Sequence, residues 1–183
     1  MSTRNLEKIF APKRIAVVGA SDDPGSVGQT VLRNLIGSGF NGVVYPVNLK
    51  RESVMGIAAY PSLQAIPKQV DLAIIATPAR TVPDLIEECG QAGILGVIVI
   101  SAGFKEIGEE GRQLEEEILR RARPYGVRVI GPNCLGVITP RIRLNASFAV
   151  RGLVHGDPRL VRPRGSRLQL LRLDRRHGRC RLR

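Results

Sequence analysis

The sequence predicts an α/β fold of the Rossmann-like, doubly wound type, in which about five parallel strands carry helices on both faces. Three observations predict it. Short β-branched runs recur five times, stretches with helical spacing separate them, and Gly and other small residues follow where the runs end. Such alternation is typical of a parallel sheet with right-handed crossovers.

The five strand-like runs are short and mostly apolar, as expected of strands buried on both faces. They occupy residues 14–19, 42–47, 70–77, 96–101 and 127–131. The intervening stretches predict helices over 28–37, 81–91 and 108–123, and one or two helical turns over 61–66. In helix 28–37 the apolar positions 31, 32, 35 and 36 fall on one face.

Length and composition exclude several classes of protein. The 183 residues are 43% hydrophobic, which suffices for a packed core and is too high for a disordered chain. No apolar run approaches the roughly 18–20 residues of a membrane helix, and the first ten residues lack the apolar core of a signal peptide. We therefore expect a cytoplasmic protein with no membrane partner. Cys89, Cys134 and Cys180 are too few and too scattered for a disulfide framework or a zinc cluster.

The net charge of +12 is concentrated in the last 33 residues, which hold 11 Arg against two Asp. We therefore divide the chain into a domain at residues 1–150 and an Arg-rich, irregular tail at 151–183. Three interpretations of the tail stay open: a basic arm for nucleic acid, a short amphipathic helix around 168–173, and an out-of-frame or disordered sequence. We favour the third, so nucleic acid is not an expected partner.

The first loop, residues 19–28, is rich in small residues and follows the first strand. Gly19, Gly25 and Gly28 are spaced by six and then three, which is longer than the G-x-G-x-x-G turn of dinucleotide-binding sites. No Gly-Lys-Ser/Thr follows, which excludes a Walker phosphate loop. Glycines and a following helix start favour a bound phosphate. The alternative is that Gly25 and Gly28 serve only the turn and helix packing.

The end of the second strand separates the candidate nucleotides. An NAD site usually has an acidic residue there for the ribose hydroxyls, whereas this chain has Lys50 and Arg51. Two cations predict a phosphate on the ribose, as in NADP or coenzyme A (CoA). A solvated basic turn is the alternative.

Six segments of the chain resemble one family. They are residues 15–28, 45–48, 70–73, 100–104 (with Glu106 and Gly108), 131–137 and 144–148. Together they are similar to the CoA-binding domain of ADP-forming (NDP-forming) acyl-CoA synthetases. That family includes acetate–CoA ligases, the N-terminal domain of the succinyl-CoA synthetase α subunit, and protein acetyltransferases fused to this domain. The resemblance runs from about residue 6 to residue 148.

The resemblance implies a CoA site along the ends of the strands. Ser21, Gly25, Ser26 and Val27 would line the phosphates and adenosine. Lys50 (or Arg51) would meet the 3′-phosphate, 100–102 would touch the pantetheine arm, and 131–134 would border its thiol. Pro78 and Ala79 match the loop after the third strand. With the glycines of the first loop, the expected cofactor-binding residues are Gly19, Ser21, Gly25, Ser26, Val27, Gly28, Lys50, Pro78, Ile100, Ser101, Ala102 and Asn133.

The resemblance also implies what this chain lacks. In these synthetases a second domain carries a phosphorylated His and an ATP-grasp domain holds the nucleotide, whereas here His155 and His177 both lie in the tail. Residues 1–150 contain no His to activate Cys134, so we assign no catalytic residue. We expect a CoA-binding fragment of an ADP-forming acyl-CoA (acetate–CoA) ligase, with the missing domains or a β subunit as partners. The alternative is a stand-alone CoA- or nucleotide-binding regulator with a nucleic-acid-binding tail.

Overall fold

The structure is a computed structural model that describes residues 4–149. Its helices are α1 (Leu6–Phe10), α2 (Val27–Gly37), α3 (Val82–Gln91) and α4 (Glu109–Tyr125). Its strands are β1 (Arg14–Val18), β2 (Val43–Val47), β3 (Ser53–Val54), β4 (Ile57–Ala58), β5 (Leu72–Ile75), β6 (Gly96–Val99), β7 (Arg128–Ile130), β8 (Gly136–Thr139) and β9 (Leu144–Ser147). Short 3₁₀ turns lie at Ala79–Thr81, Lys105–Ile107 and Pro140–Ile142.

Five of these strands form one parallel sheet in the order β2-β1-β5-β6-β7. Successive residues of β1 point to opposite faces, and both faces are covered. Ile15 and Val17 belong to the apolar cluster that includes α2 residues, and Ala16 and Val18 belong to the cluster that includes α3 and α4 residues. The predicted doubly wound fold is confirmed.

The strand order reverses between β1 and β5. The chain leaves β1 toward β2 on one side and later returns to place β5 on the other side. The loops that follow β1 and β5 therefore diverge and leave a crevice at their carboxyl ends, which is where open α/β sheets bind ligands.

Residues 61–66 form one hydrogen-bonded turn and no helix, since the N–H of Ile66 donates to the carbonyl of Leu63 at 3.2 Å. The N–H of Leu63 donates to the Glu88 carboxylate on α3 at 2.8 Å, and the buried side chains of Leu63 and Ile66 pack in the core. The prediction of one or two helical turns therefore holds for a single turn only.

Two antiparallel hairpins, β3–β4 and β8–β9, and helix α1 were not predicted. The second hairpin packs its buried residues Leu144 and Ala146 against α2. The buried Asn34 amide donates to the carbonyls of Ser147 and Ala149, both at 2.8 Å, which fixes the chain direction after β9. The predictions for the tail, including Cys180 and both His residues, lie outside the described residues.

Candidate functional site

Two glycines bring the first turn of α2 close to the end of β1. Gly19 adopts φ +84° directly after β1, and its N–H donates to the carbonyl of Val47 at 3.1 Å. A Cβ on Gly19 would lie 2.7 Å from the carbonyl oxygen of Ala76, and one on Gly28 would lie 1.9 Å from the carbonyl oxygen of Gly19. Only glycine fits at either position, so the packing role of Gly28 holds whether or not a ligand binds.

The loop between β1 and α2 is held by its own side chains. Ser21 Oγ accepts the N–H of Asp23 at 2.9 Å, and Ser26 caps α2 by accepting the N–H of Gln29 at 3.2 Å. The Gln29 side chain also accepts the N–H of Gly25 at 3.1 Å and donates to the carbonyl of Asp22 at 3.0 Å. The Gly25 amide is therefore occupied within the loop.

Two amides in the first turn of α2 remain available. Within residues 4–149, the N–H groups of Val27 and Gly28 donate to no acceptor. They begin an 11-residue helix, where the dipole is positive and unpaired N–H groups favour an anion. This turn can hold a phosphate.

A cavity of about 430 Å³ opens at the carboxyl ends of β1, β2 and β5, at the point where the strand order reverses. Its volume is in the range of small-molecule sites. Its walls combine apolar side chains with hydroxyls, the Asn48 amide and the Lys50 ammonium; the lining residues are Val18, Gly19, Val47, Asn48, Leu49, Lys50, Pro61, Ser62, Thr77, Pro78, Thr81, Asp84, Leu85 and Glu88.

Both carboxylates in the cavity wall have partners outside it. Asp84 pairs with the Arg121 guanidinium at 2.6 Å, and Glu88 accepts the N–H of Leu63. Both carboxylates of the cavity wall therefore already have partners. A typical NAD site, in contrast, has a carboxylate that accepts hydrogen bonds from the ribose hydroxyls.

The structure gives the two cations after β2 different surroundings. Asn48 donates to the carbonyl of Ala20 at 2.8 Å and accepts the N–H of Lys50 at 2.8 Å, which fixes the turn. The Arg51 guanidinium pairs with Asp22 at 3.2 Å and with Asp23 at 2.9 Å. Lys50 is exposed at the cavity, and its ammonium has no ion-pair partner among residues 4–149.

The loops after β5, β6 and β7 continue the crevice along the sheet. A Cβ on Gly103 would lie 3.2 Å from Cβ of Ala79, so the loops after β5 and β6 are in contact. The N–H of Asn133 donates to the carbonyl of Ser101 at 2.9 Å, which joins the loops after β6 and β7. The buried Ser101 Oγ has no hydrogen-bond partner in the described part of the chain. Ile100 is only 5% exposed, so its side chain belongs to the core and only its backbone can face a ligand.

A carboxylate fixes the loop after β6. Glu106 accepts the N–H of Gly103 at 2.7 Å, and this backbone hydrogen bond lowers the pKa of Glu106 below its ordinary value. The carboxylate therefore stays ionised at neutral pH and holds Gly103 at φ +103°. This keeps the loop beside Ala102, which is exposed to the crevice side of β6.

The Cys134 thiol is not activated. Its Sγ donates to the carbonyl of Val99 at 3.3 Å, and burial raises the pKa of Cys134 above its ordinary value. Burial also raises the pKa of Cys89. Neither thiol has the lowered pKa that a nucleophilic cysteine requires.

Comparison with known proteins identifies this arrangement. Residues 13–140 match the family described as the CoA binding domain. The chain belongs to this CoA-binding family. The match covers β1 to β8 and the loops that surround the crevice, so the resemblance seen in the sequence is confirmed.

The relatives of this CoA-binding domain are longer ligases. The chain is 50% identical over 144 residues to ADP-forming acetate–CoA ligase I of Archaeoglobus fulgidus, covering 79% of this chain and 21% of the relative. It is 42% identical over 166 residues to the α subunit of ADP-forming acetate–CoA ligase I of Pyrococcus furiosus, covering 88% of this chain and 36% of that subunit. The chain thus spans about a fifth to a third of the length of these relatives.

A solved structure shares the fold. The dinucleotide-forming acetyl-coenzyme A synthetase 1 of Candidatus Korarchaeum cryptofilum, solved with phosphate and ADP, superposes with a TM-score of 0.77 at 46% identity. The match covers 81% of this chain and 32% of that one.

The predicted site residues gather at one edge of the sheet, although their contact with CoA stays a prediction. They lie in the loops after β1, β2, β5, β6 and β7 and in the first turn of α2. Asn48 and Thr77 lie at the ends of predicted strands, where a ligand was expected. Sequence reasoning missed the part of the cavity wall formed by Ser62, Thr81, Leu85 and Glu88.

Two further findings concern the described residues alone. Residues 4–149 hold no group of His, Cys, Asp or Glu side chains arranged to bind a metal ion. None of the helices in this part of the chain is both long and apolar enough to span a membrane.

Proposed function

We propose that CoA lies along this crevice with its adenosine in the cavity between β1, β2 and β5. The 3′-phosphate meets Lys50, and the diphosphate lies at the free amides of Val27 and Gly28. Within residues 4–149 these two amides donate to no acceptor and the ammonium has no ion-pair partner. Each matches a charged group of CoA.

The observation that carries the proposal is the unpaired Lys50 at the cavity. An ammonium at the end of the second strand favours a phosphate on the ribose and disfavours a ribose with free hydroxyls. Because Arg51 is already paired with Asp22 and Asp23, Lys50 is the better candidate for this phosphate. A site for NAD would need an acceptor at this place.

The pantetheine arm follows the edge of the sheet from Pro78 to Ser101 and Asn133. The loops that carry these residues touch one another through Ala79, Gly103 and the Asn133 amide. The unpartnered Ser101 hydroxyl supplies a hydrogen-bonding group for an amide of the arm. Cys134 then borders the thiol of CoA without reacting with it.

We assign this CoA site to an ADP-forming acyl-CoA ligase. The relatives at 50% and 42% identity are named as such ligases or their α subunits, which supports the assignment. In this role residues 1–150 bind CoA, while a phosphorylated His and the nucleotide site belong to other domains or to a β subunit. The acid that is joined to CoA depends on those other parts.

Isothermal titration of the full chain with CoA, dephospho-CoA and NADP tests the proposal. CoA should bind, and dephospho-CoA should bind more weakly by about 1.5–3 kcal/mol, the usual contribution of a hydrogen bond to a charged group. NADP should bind more weakly than CoA because it has no pantetheine arm. Binding of NADP without binding of CoA at millimolar concentration would contradict the proposal.

A further inference from the structure

The loop that would receive the CoA phosphates contains two carboxylates of its own. Asp22 and Asp23 lie four to six residues before the free amides of Val27 and Gly28. A carboxylate near a phosphate disfavours its binding, since like charges repel. A neighbouring cation that offsets part of this negative charge would therefore favour phosphate binding.

The Arg51 guanidinium is placed to do this. One of its nitrogens lies 3.2 Å from a carboxylate oxygen of Asp22 and another lies 2.9 Å from an oxygen of Asp23. Asp22 also accepts the N–H of Met55 at 2.6 Å, in the tight turn between β3 and β4. Both carboxylates are thus drawn toward the segment after β2.

All three side chains are partly exposed, at 42% for Arg51, 40% for Asp22 and 70% for Asp23. An exposed pair of this kind contributes little to folding stability. The ion pairs can still affect the binding of an anionic ligand. Without Arg51, the phosphates of the ligand would be repelled by both carboxylates.

We infer that Arg51 is a positioning residue that offsets one of the two negative charges of Asp22 and Asp23 and draws both carboxylates toward itself, so that the β1–α2 loop accepts the diphosphate of CoA. Arg51 does not itself touch the 3′-phosphate. The inference rests on the proposed CoA site. It adds a residue that changes the affinity of that site for CoA without contacting CoA.

Arg51→Met in the full chain tests it by titration with CoA and with dephospho-CoA at low salt. Both ligands carry the diphosphate, so both should weaken by the same factor, about fivefold if the lost unit charge acts across about 4 Å of water. The ratio of the two affinities should stay as in the unsubstituted chain. The loss should shrink in 0.5 M salt, where the screening length is only a few ångströms.

A second experiment removes one of the carboxylates as well as Arg51. Asp23→Asn keeps the shape and the backbone hydrogen bonds of the loop. Arg51→Met combined with Asp23→Asn should recover most of the lost affinity for both ligands, and Arg51→Lys, which keeps the charge, should retain most of it. A merely structural role of Arg51 would not be rescued by removing a charge from its partner. Thermal unfolding of each variant checks that the fold is unchanged.

Three outcomes would overturn the inference while CoA binding itself persists. Unchanged CoA affinity in Arg51→Met would show that the ion pairs of Arg51 do not affect CoA binding. A loss confined to CoA would make Arg51 a ligand of the 3′-phosphate. A double variant that binds as weakly as Arg51→Met would show that the carboxylates are not the cause. Failure of the unsubstituted chain to bind CoA would instead overturn the proposed function, before Arg51 is changed.

Discussion

The first turn of α2 packs so closely on the end of β1 that a Cβ on Gly28 would lie 1.9 Å from the carbonyl oxygen of Gly19. The contact is between two backbone segments, so no side-chain rotation can relieve it. The same close approach brings the free amides of the helix start to the mouth of the crevice.

Gly28→Ala should therefore destabilise the domain, because the helix or the strand must shift to admit the methyl group. We expect a loss of about 3 kcal/mol in the free energy of unfolding, at the upper end of the range for overpacking. Gly25→Ala is the control: Gly25 has φ +80° but nothing within 4 Å of a Cβ. It should lose about 1 kcal/mol from backbone strain alone. Equal losses in urea unfolding would contradict the packing argument.

Lys50→Met should abolish the preference for the 3′-phosphate. The affinity for CoA should fall about tenfold or more, as expected when a hydrogen bond to a charged group is lost. The affinity for dephospho-CoA should not change, so titration should give similar values for the two ligands. The matched control is Lys68→Met, since Lys68 is an exposed lysine at a different cavity, formed with Gln69 and Val70. A variant at Lys50 that still prefers CoA would contradict the assignment.

The sheet and the glycine-rich loop after β1 could be predicted from the sequence because their signals are local. The run at Arg14–Val18 and the glycines that follow it each show their role within a few residues. The pair Lys50 and Arg51 was singled out by charge, since cations stand where an NAD site has an acid, and the choice of Lys50 came from the family resemblance. For the sheet and the loop after β1, local pattern and tertiary structure agree.

The remaining elements depend on contacts between distant parts of the chain. Strands β8 and β9 form an antiparallel hairpin outside the main sheet, and β9 mixes polar and apolar residues without an apolar run. The Asn34 amide on α2 holds the chain at the end of β9. Residues 61–66 form only one hydrogen-bonded turn, and the contacts of Leu63 and Gln64 with the distant Glu88 carboxylate cannot be seen in the local sequence. Leu85 lines the cavity and lies on the amphipathic helix α3. The apolar pattern of a helix does not distinguish residues of the core from residues that line a cavity.

Asp71 should make stability depend on pH in the acid range. Burial of the carboxylate raises its pKa, but the Lys8 ammonium at 2.8 Å and the N–H groups of Lys13 and Arg14 outweigh this effect. The net result is that the pKa of Asp71 lies below its ordinary value. A lowered folded-state pKa stabilises the fold above the unfolded-state pKa of about 3.9, and this stabilisation is lost as the pH falls through the folded-state pKa.

Asp71→Asn should therefore be less stable than the unsubstituted chain at pH 7 and should lose less stability between about pH 4 and pH 2. Urea unfolding at several pH values measures this. Glu52→Gln is the control, because the exposed Glu52 side chain has no ion pair within the described residues. The two variants having the same acid profile would contradict the role given to Asp71.

Cys134 should react slowly with alkylating agents at neutral pH. Burial raises its pKa, so the thiolate fraction is small, and the alkylation rate should rise about tenfold per pH unit from pH 7 upward. Peptide mass analysis after iodoacetamide treatment measures the rate at Cys134 apart from the other two cysteines. A rate that is already at its plateau at pH 7 would show an activated thiolate and would reopen a catalytic role. Saturating CoA should slow the reaction further, because the proposed position of the pantetheine thiol covers Cys134, whereas adenosine 3′,5′-bisphosphate, which lacks the arm, should leave the rate unchanged.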